Sequence, residues 1–87
     1  MTKIEIYTTP TCPYCFAAKR LLDKKKLAYE EIDVSRDPNK RGEMVKRSNG
    51  GRTVPQIFIN GSSIGGSDEL YRLNVEGKLE DLLLVSA

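Results

Sequence analysis

Along this 87-residue chain the spacing of apolar residues changes period several times, and each change marks an element. Ile4 and Ile6 alternate with polar neighbours, which reads as a strand, and Thr8-Thr9-Pro10-Thr11 follows as a loop. From Pro13 to about Lys26 the set Cys15, Ala18, Leu21 and Leu22 keeps helical spacing, with Lys19, Arg20 and Asp23 outward. Ile32 and Val34 alternate with charges as a second strand. Asp37-Pro38 then supplies an N-cap and a first-turn proline for a helix through about Arg47, with Met44 and Val45 inward and Ser48-Asn49-Gly50-Gly51 as its stop. Gly42 makes that helix weaker than the first.

The next run, Ile57-Phe58-Ile59, Asn60-Gly61, Ser62-Ser63-Ile64, predicts an antiparallel hairpin, because Asn-Gly accepts the positive φ of a type I′ turn. Ser67 is placed to cap a helix with Asp68 and Glu69 in its first turn and Leu70 and Leu73 inward; Leu79, Leu82 and Leu83 mark a last short helix. The order β-α-β-α-β-β-α-α predicts an α/β fold: a βαβ unit plus an antiparallel hairpin forming a small mixed four-stranded sheet flanked by helices. No repeat, low-complexity tract or linker divides residues 1–87, so one domain is expected, burying roughly 60–65% of the surface its unfolded chain exposes.

Charge narrows the function little. Fourteen Lys and Arg stand against 12 Asp and Glu, a net +2 that is too balanced to imply nucleic-acid binding. Lys24-Lys25-Lys26 sits where a helix end favours cations. No apolar run reaches the length of a membrane span, and Met1-Thr2-Lys3 enters a strand pattern without a signal-like apolar region, so no membrane partner and a cytoplasmic setting are expected.

The candidate chemistry lies at Cys12-Pro13-Tyr14-Cys15, which holds the only two thiols. Cys12 would cap the first helix and Pro13 would fill its first turn, so the first sulfur faces unpaired backbone donors and the positive end of the helix dipole. A thiolate is favoured there, and the thiolate is the nucleophile in disulfide exchange; Cys-x-x-Cys sites lower a thiol pKa from about 8.5 to roughly 3.5–7.5. Cys15, one turn on, is placed to attack a mixed disulfide at Cys12. Two other readings stand beside this one. A zinc site needs four ligands, and with no histidine and no second cysteine pair it would have to bridge a dimer, so no metal residue is assigned. A structural disulfide across so short a loop removes little chain entropy.

Taken together, Tyr7-Thr8, Cys12-Pro13-Tyr14-Cys15, Thr53-Val54-Pro55-Gln56 and Gly65-Gly66-Ser67-Asp68 resemble, in order and spacing, the glutaredoxin family, in particular its small bacterial dithiol class. The resemblance covers nearly the whole chain. It implies a thioredoxin-like fold and reduction of glutathione mixed disulfides and protein disulfides, with glutathione as reductant and no tightly bound cofactor. Cys12 is similar to the nucleophile that becomes glutathionylated and Cys15 to the resolving thiol. Tyr14 resembles a wall of the glutathione groove. Thr53-Val54-Pro55 resembles the family's cis-proline loop, where the Val54 backbone pairs with the ligand like an added strand; from the residues alone, Pro55 reads as the entry to an edge strand. Gly66, Ser67 and Asp68 resemble the site for the γ-glutamyl end, whose carboxylate suits helix N-terminal amides and whose ammonium suits Asp68. Arg52 and Gln56 are the nearest candidates for the glycyl carboxylate, with a solvated loop cation as the plainer reading of Arg52.

Two departures stand out. Many relatives carry lysine where this chain has Thr9, so activation of Cys12 must lean more on the helix terminus; some carry cysteine where this chain has Ser67, which rules out a third-thiol reaction. The implied partners are glutathione, glutathionylated or disulfide-bearing proteins such as ribonucleotide reductase, and indirectly glutathione reductase, acting on a monomer at potentials of about −200 to −230 mV. Two alternatives differ in kind: a thioredoxin-reductase-dependent electron donor, and an iron–sulfur cluster carrier in which two subunits each give Cys12 and two glutathiones complete the ligands.

Overall fold

The computed structural model describes residues 2–84; Met1 and the last three positions of the expected domain lie outside the described residues. Four strands, β1 (Ile4–Thr8), β2 (Glu30–Asp33), β3 (Gln56–Ile59) and β4 (Ser62–Gly65), and four helices, α1 (Pro13–Lys24), α2 (Pro38–Arg47), α3 (Ser67–Val75) and α4 (Lys78–Leu84), follow in the predicted order. The sheet order is β2-β1-β3-β4, with β1 parallel to β2 and antiparallel to β3.

Because β1 lies inside the sheet, its side chains are buried on both faces. Ile4 and Ile6 point into a core with Ala18, Leu21, Leu22, Ile57, Ile59, Leu70 and Leu79, the face covered by α1, α3 and α4. Tyr7 faces the other way and packs with Val34, Met44 and Phe58 under α2. Each large apolar side chain buried in this way contributes about 1.5–3 kcal/mol relative to exposure.

Several boundaries shift. β1 continues through Thr8, which the sequence reading placed in the loop; the Thr8 carbonyl accepts from Val34 N (2.9 Å), so Val34 stays hydrogen-bonded although β2 ends at Asp33. Helix α1 ends at Lys24, two residues early, because Lys26 adopts φ +59°. Lys25 pairs with Glu80 of α4. Ser67 is not the cap of α3: Gly66 is, and the Glu69 carboxylate reaches back to the Gly66 N–H (2.6 Å), so the helix begins one residue before the serine reading allowed. Pro55 does not open an edge strand, since β3 is interior and begins only at Gln56.

The other signals behave as read. Asp37 Oδ1 accepts from Asn39 N (3.0 Å) and Lys40 N (3.2 Å), with Pro38 in the first turn of α2. Asn60 and Gly61, at φ +52° and +85°, turn the β3-β4 hairpin, and the β3-β4 register shifts between Ile57 and Phe58.

A polar network fastens α2 to the sheet. Arg47 holds Glu5 with two bonds (2.9 and 3.2 Å) and donates to the Tyr7 hydroxyl (2.7 Å), which donates to Glu43 (2.7 Å). The guanidinium also lies 4.3 Å from the Phe58 ring centre. Hydrogen bonding to Arg47 is the main reason the Glu5 carboxyl sits below its ordinary value of 4.5. A carboxyl whose folded pKa is depressed stabilises the fold above its unfolded pKa and loses that contribution as pH falls through the folded one. Glu5→Gln is therefore expected to lower stability by about 1–3 kcal/mol at neutral pH, and urea midpoints of the two proteins should converge in acid; a gap that persists undiminished at low pH would contradict this ionic role.

Candidate active site

Local sequence forces the position of the first sulfur. Pro13 has no amide to lose at the start of α1, and the preceding Cys12 is held extended at φ −93°, ψ 112°, as the N-cap. Its Sγ accepts the Cys15 N–H at 3.1 Å and lies 3.6 Å from the Val54 carbonyl, to which the thiol donates. Cys12 is half-buried, Cys15 fully buried, and both are free thiols. A cap usually offers oxygen to the first-turn amides; here sulfur does so, and negative charge on it would be met by an oriented N–H and the helix dipole.

Cys15 sits in the opposite environment. Burial, followed by hydrogen bonding with the Cys12 sulfur, pushes its thiol up to about 12, with the Thr9 backbone amide and the Lys19 ammonium opposing. Lys19 is itself only half exposed and bonds Glu31 (2.8 Å), which also accepts from Thr8 Oγ1 (2.7 Å). So Lys19 is not simply outward, as the helical pattern alone suggests: β2 provides it with a partner. The dithiol is thus asymmetric, one sulfur presented at the surface and one kept protonated beneath it.

Beside Cys12 runs a groove of ≈ 390 Å³ lined by Tyr14, Thr53, Val54, Pro55, Gly66, Ser67, Asp68 and Glu69. The Val54-Pro55 peptide bond is cis, as the resemblance implied and the residues alone did not. Tyr14 stands 64% exposed on one wall. Opposite it, the start of α3 approaches the proline loop so closely that a Cβ on Gly66 would lie 3.2 Å from the Pro55 carbonyl oxygen. That approach, not a special φ, is what calls for glycine there.

Seven of the nine groove candidates therefore come together. Arg52 and Gln56 do not line the cavity: Arg52 is exposed, its carbonyl accepting from Arg41 (3.5 Å), while Gln56 is buried and its amide donates to the Thr53 carbonyl (3.0 Å). Gln56 braces the loop from behind. Glu69 does line the groove and was read only as a first-turn acid; the spacing of a backbone cap to an acid three residues later was the signal that could have placed it.

Residues 4–64 match the family model described as Glutaredoxin. The chain is 51% identical over 83 residues to Glutaredoxin 3 of Escherichia coli strain K12, covering 95% of this chain and 99% of that protein. Among solved structures it is similar to the solution structure of glutaredoxin from Brucella melitensis (TM-score 0.83, 51% identity, 95% of this chain and 89% of that one). It is similar also to a buckwheat glutaredoxin-glutathione complex (TM-score 0.85, 28% identity, 95% and 77%).

The asymmetry of the two thiols is directly measurable. Limited alkylation with iodoacetamide and peptide mapping should place the label on Cys12 at neutral pH, with Cys15 becoming reactive only as pH climbs toward about 12. Label on Cys15 at a rate rivalling Cys12 at about pH 8–9, where an ordinary thiol ionises, would contradict the buried, protonated state.

Proposed function

Since the chain belongs to the glutaredoxin family and is a glutathione-dependent thiol–disulfide oxidoreductase, we propose that Cys12 is its nucleophile, Cys15 its resolving thiol, and the groove from Tyr14 to Asp68 its glutathione site. The single observation that carries this reading is the placement of the Cys12 sulfur, capping α1 against the Cys15 amide and facing the Val54 carbonyl at one side of that groove.

On a glutathionylated protein, the Cys12 thiolate attacks the glutathione sulfur. A new disulfide joins Cys12 to glutathione, the old one breaks, and the protein thiolate leaves and takes up a proton. A second glutathione thiolate then attacks the glutathione sulfur of the adduct, releasing oxidised glutathione and returning Cys12 as thiolate. Disulfide exchange asks only for an in-line approach of three sulfurs, so positioning does most of the work.

On a protein disulfide, Cys12 forms a mixed disulfide with one substrate sulfur, and Cys15 attacks the Cys12 sulfur to close an intramolecular bridge and expel that substrate thiol. Cys15 must give up its proton in that step, and the departing substrate thiolate is a base able to take it. Two glutathiones then reduce the bridge.

Tyr14 and the Thr53-Val54-Pro55 loop hold the middle of glutathione, with the Val54 backbone pairing to it as an added strand. The γ-glutamyl carboxylate goes to the amides at the start of α3, and Asp68 takes the ammonium. Arg52, exposed at the far side of the loop, reaches for the glycyl carboxylate; Gln56 acts by bracing Thr53. The protein works as a monomer, one chain supplying both thiols and the groove, on glutathionylated or disulfide-bearing proteins of a reducing cytoplasm. Among the described residues no helix is long and apolar enough to cross a membrane.

In an assay coupled to glutathione and its reductase, Cys12→Ser should abolish turnover of a glutathionylated peptide, while Cys15→Ser should keep that activity and lose reduction of a protein disulfide. Full activity in Cys12→Ser would overturn the assignment, and reduction of the oxidised protein by thioredoxin reductase but not by glutathione would favour a different electron source.

A further inference from the structure

Closing the Cys12-Cys15 bridge puts negative charge on a sulfur that the fold keeps neutral, and a fixed cation beside that sulfur lowers the cost. Lys19 is the cation placed for this. It follows Cys15 by four residues on α1, and helix side chains lean toward the N-terminus, so its stem runs back over the turn that holds Cys15. Its head is pinned: Nζ bonds Glu31 at 2.8 Å and lies 5.0 Å from the centre of the Phe16 ring, and only 21% of the side chain is exposed. Glu31 in turn accepts from the buried Thr8 hydroxyl at 2.7 Å, and Thr8 precedes Thr9, whose backbone amide faces the Cys15 thiol.

Both charges of this pair persist at neutral pH. Hydrogen bonding to Glu31 raises the Lys19 ammonium above its ordinary 10.5, with burial opposing and Cys15 among the groups that act on it. Hydrogen bonds from Lys19 and then Thr8 hold the Glu31 carboxyl below 4.5. Cys12 faces the Cys15 sulfur from the cap, and Arg20, Asp23 and Tyr29 share the cleft with Lys19 and Glu31.

We propose that Lys19 is a positioning residue for the resolving step: pinned by Glu31 one turn beyond Cys15, its ammonium supports the charge that develops on the Cys15 sulfur as that sulfur attacks the Cys12 adduct. The proposal rests on the reading of Cys15 as the resolving thiol. In the step concerned, Cys15 releases its proton and its sulfur bonds to the Cys12 sulfur. The bond from Cys12 to glutathione breaks, and the departing glutathione thiolate is protonated in turn. Lys19 neither gives nor takes that proton. Its effect therefore falls on the two-thiol route, while turnover that needs Cys12 alone passes it by.

Rapid mixing of the reduced protein with oxidised glutathione separates the two steps. The first, adduct formation at Cys12, scales with the glutathione concentration; the second, closure by Cys15, does not. Acid quenching and mass spectrometry read both. Lys19→Met should slow closure roughly threefold to tenfold at each pH between about 6 and 9, displacing its pH profile upward, and should change adduct formation less than twofold. Lys19→Arg, which keeps the charge, should close faster than Lys19→Met. So should Glu31→Gln, which breaks the same ion pair but leaves the ammonium in place. Should Lys19→Met fail to fold, Lys19→Gln provides the uncharged comparison. Unchanged closure in a folded uncharged variant would overturn the proposal, as would equal slowing in Glu31→Gln, which is the mark of a lost ion pair alone; both leave Cys15 as the resolver. A native adduct that never closes would overturn the proposal and the resolving role together.

Discussion

A cysteine sulfur serving as the N-cap of a helix is the constraint on which the rest of the molecule turns. At that position Cys12 must satisfy backbone amides that an oxygen would ordinarily take, and it does so through the Cys15 N–H at 3.1 Å. The same geometry places the second cysteine one turn inside the helix, against the core, where water is excluded and the neutral thiol is favoured. A single local choice, Cys-Pro-x-Cys at a helix start, thus puts one sulfur half-buried as the helix cap and the other in the core. The fold's task is to hold that helix start still, and the sheet does so: Ala18, Leu21 and Leu22 bury α1 against Ile4, Ile6, Ile57 and Ile59.

The groove is built from two further chain segments that approach each other only because of what their residues lack. Gly66 has no side chain to push away the Pro55 carbonyl, and Gly65 has none to exclude Glu69. Behind the proline loop, Gln56 bonds Thr53 and packs where a Cβ on Gly51 would lie 2.8 Å from its amide nitrogen. The groove is therefore backed by the Gln56–Thr53 contact on one side and by a helix start on the other. On the opposite face of the sheet the Arg47-Glu5-Tyr7-Glu43 network holds α2 and leaves the dithiol side free.

What could be read from sequence was what is written locally. The helices and the hairpin announce themselves through period, proline position and Asn-Gly, and all appear in the expected order. The dithiol was legible for the same reason, since a cap and its helix are adjacent in the chain. Ser67 misled because the residue type alone does not say where the backbone leaves the extended region; Gly66 is the extended cap, Ser67 is already helical, and Glu69 closes the box from inside. The cis bond before Pro55 left no trace in residue pattern and came only through the family resemblance. The pairing of Glu5 with Arg47, 42 positions apart, has no local signal, because alternation tells which face a residue takes, not what covers that face. Arg52 and Gln56 flank the proline loop in sequence, yet the chain turns one outward and the other inward.

The order in which the two sulfurs react distinguishes a capping nucleophile from a buried resolver. Reduced protein mixed with oxidised glutathione and quenched at successive times, then mapped by mass spectrometry, should show a single glutathionyl group on Cys12 first, followed by its loss as the Cys12-Cys15 disulfide forms. A first adduct on Cys15, or adducts accumulating on both cysteines at equal rates, would contradict the assignment of one sulfur as helix-capping nucleophile and the other as buried resolver.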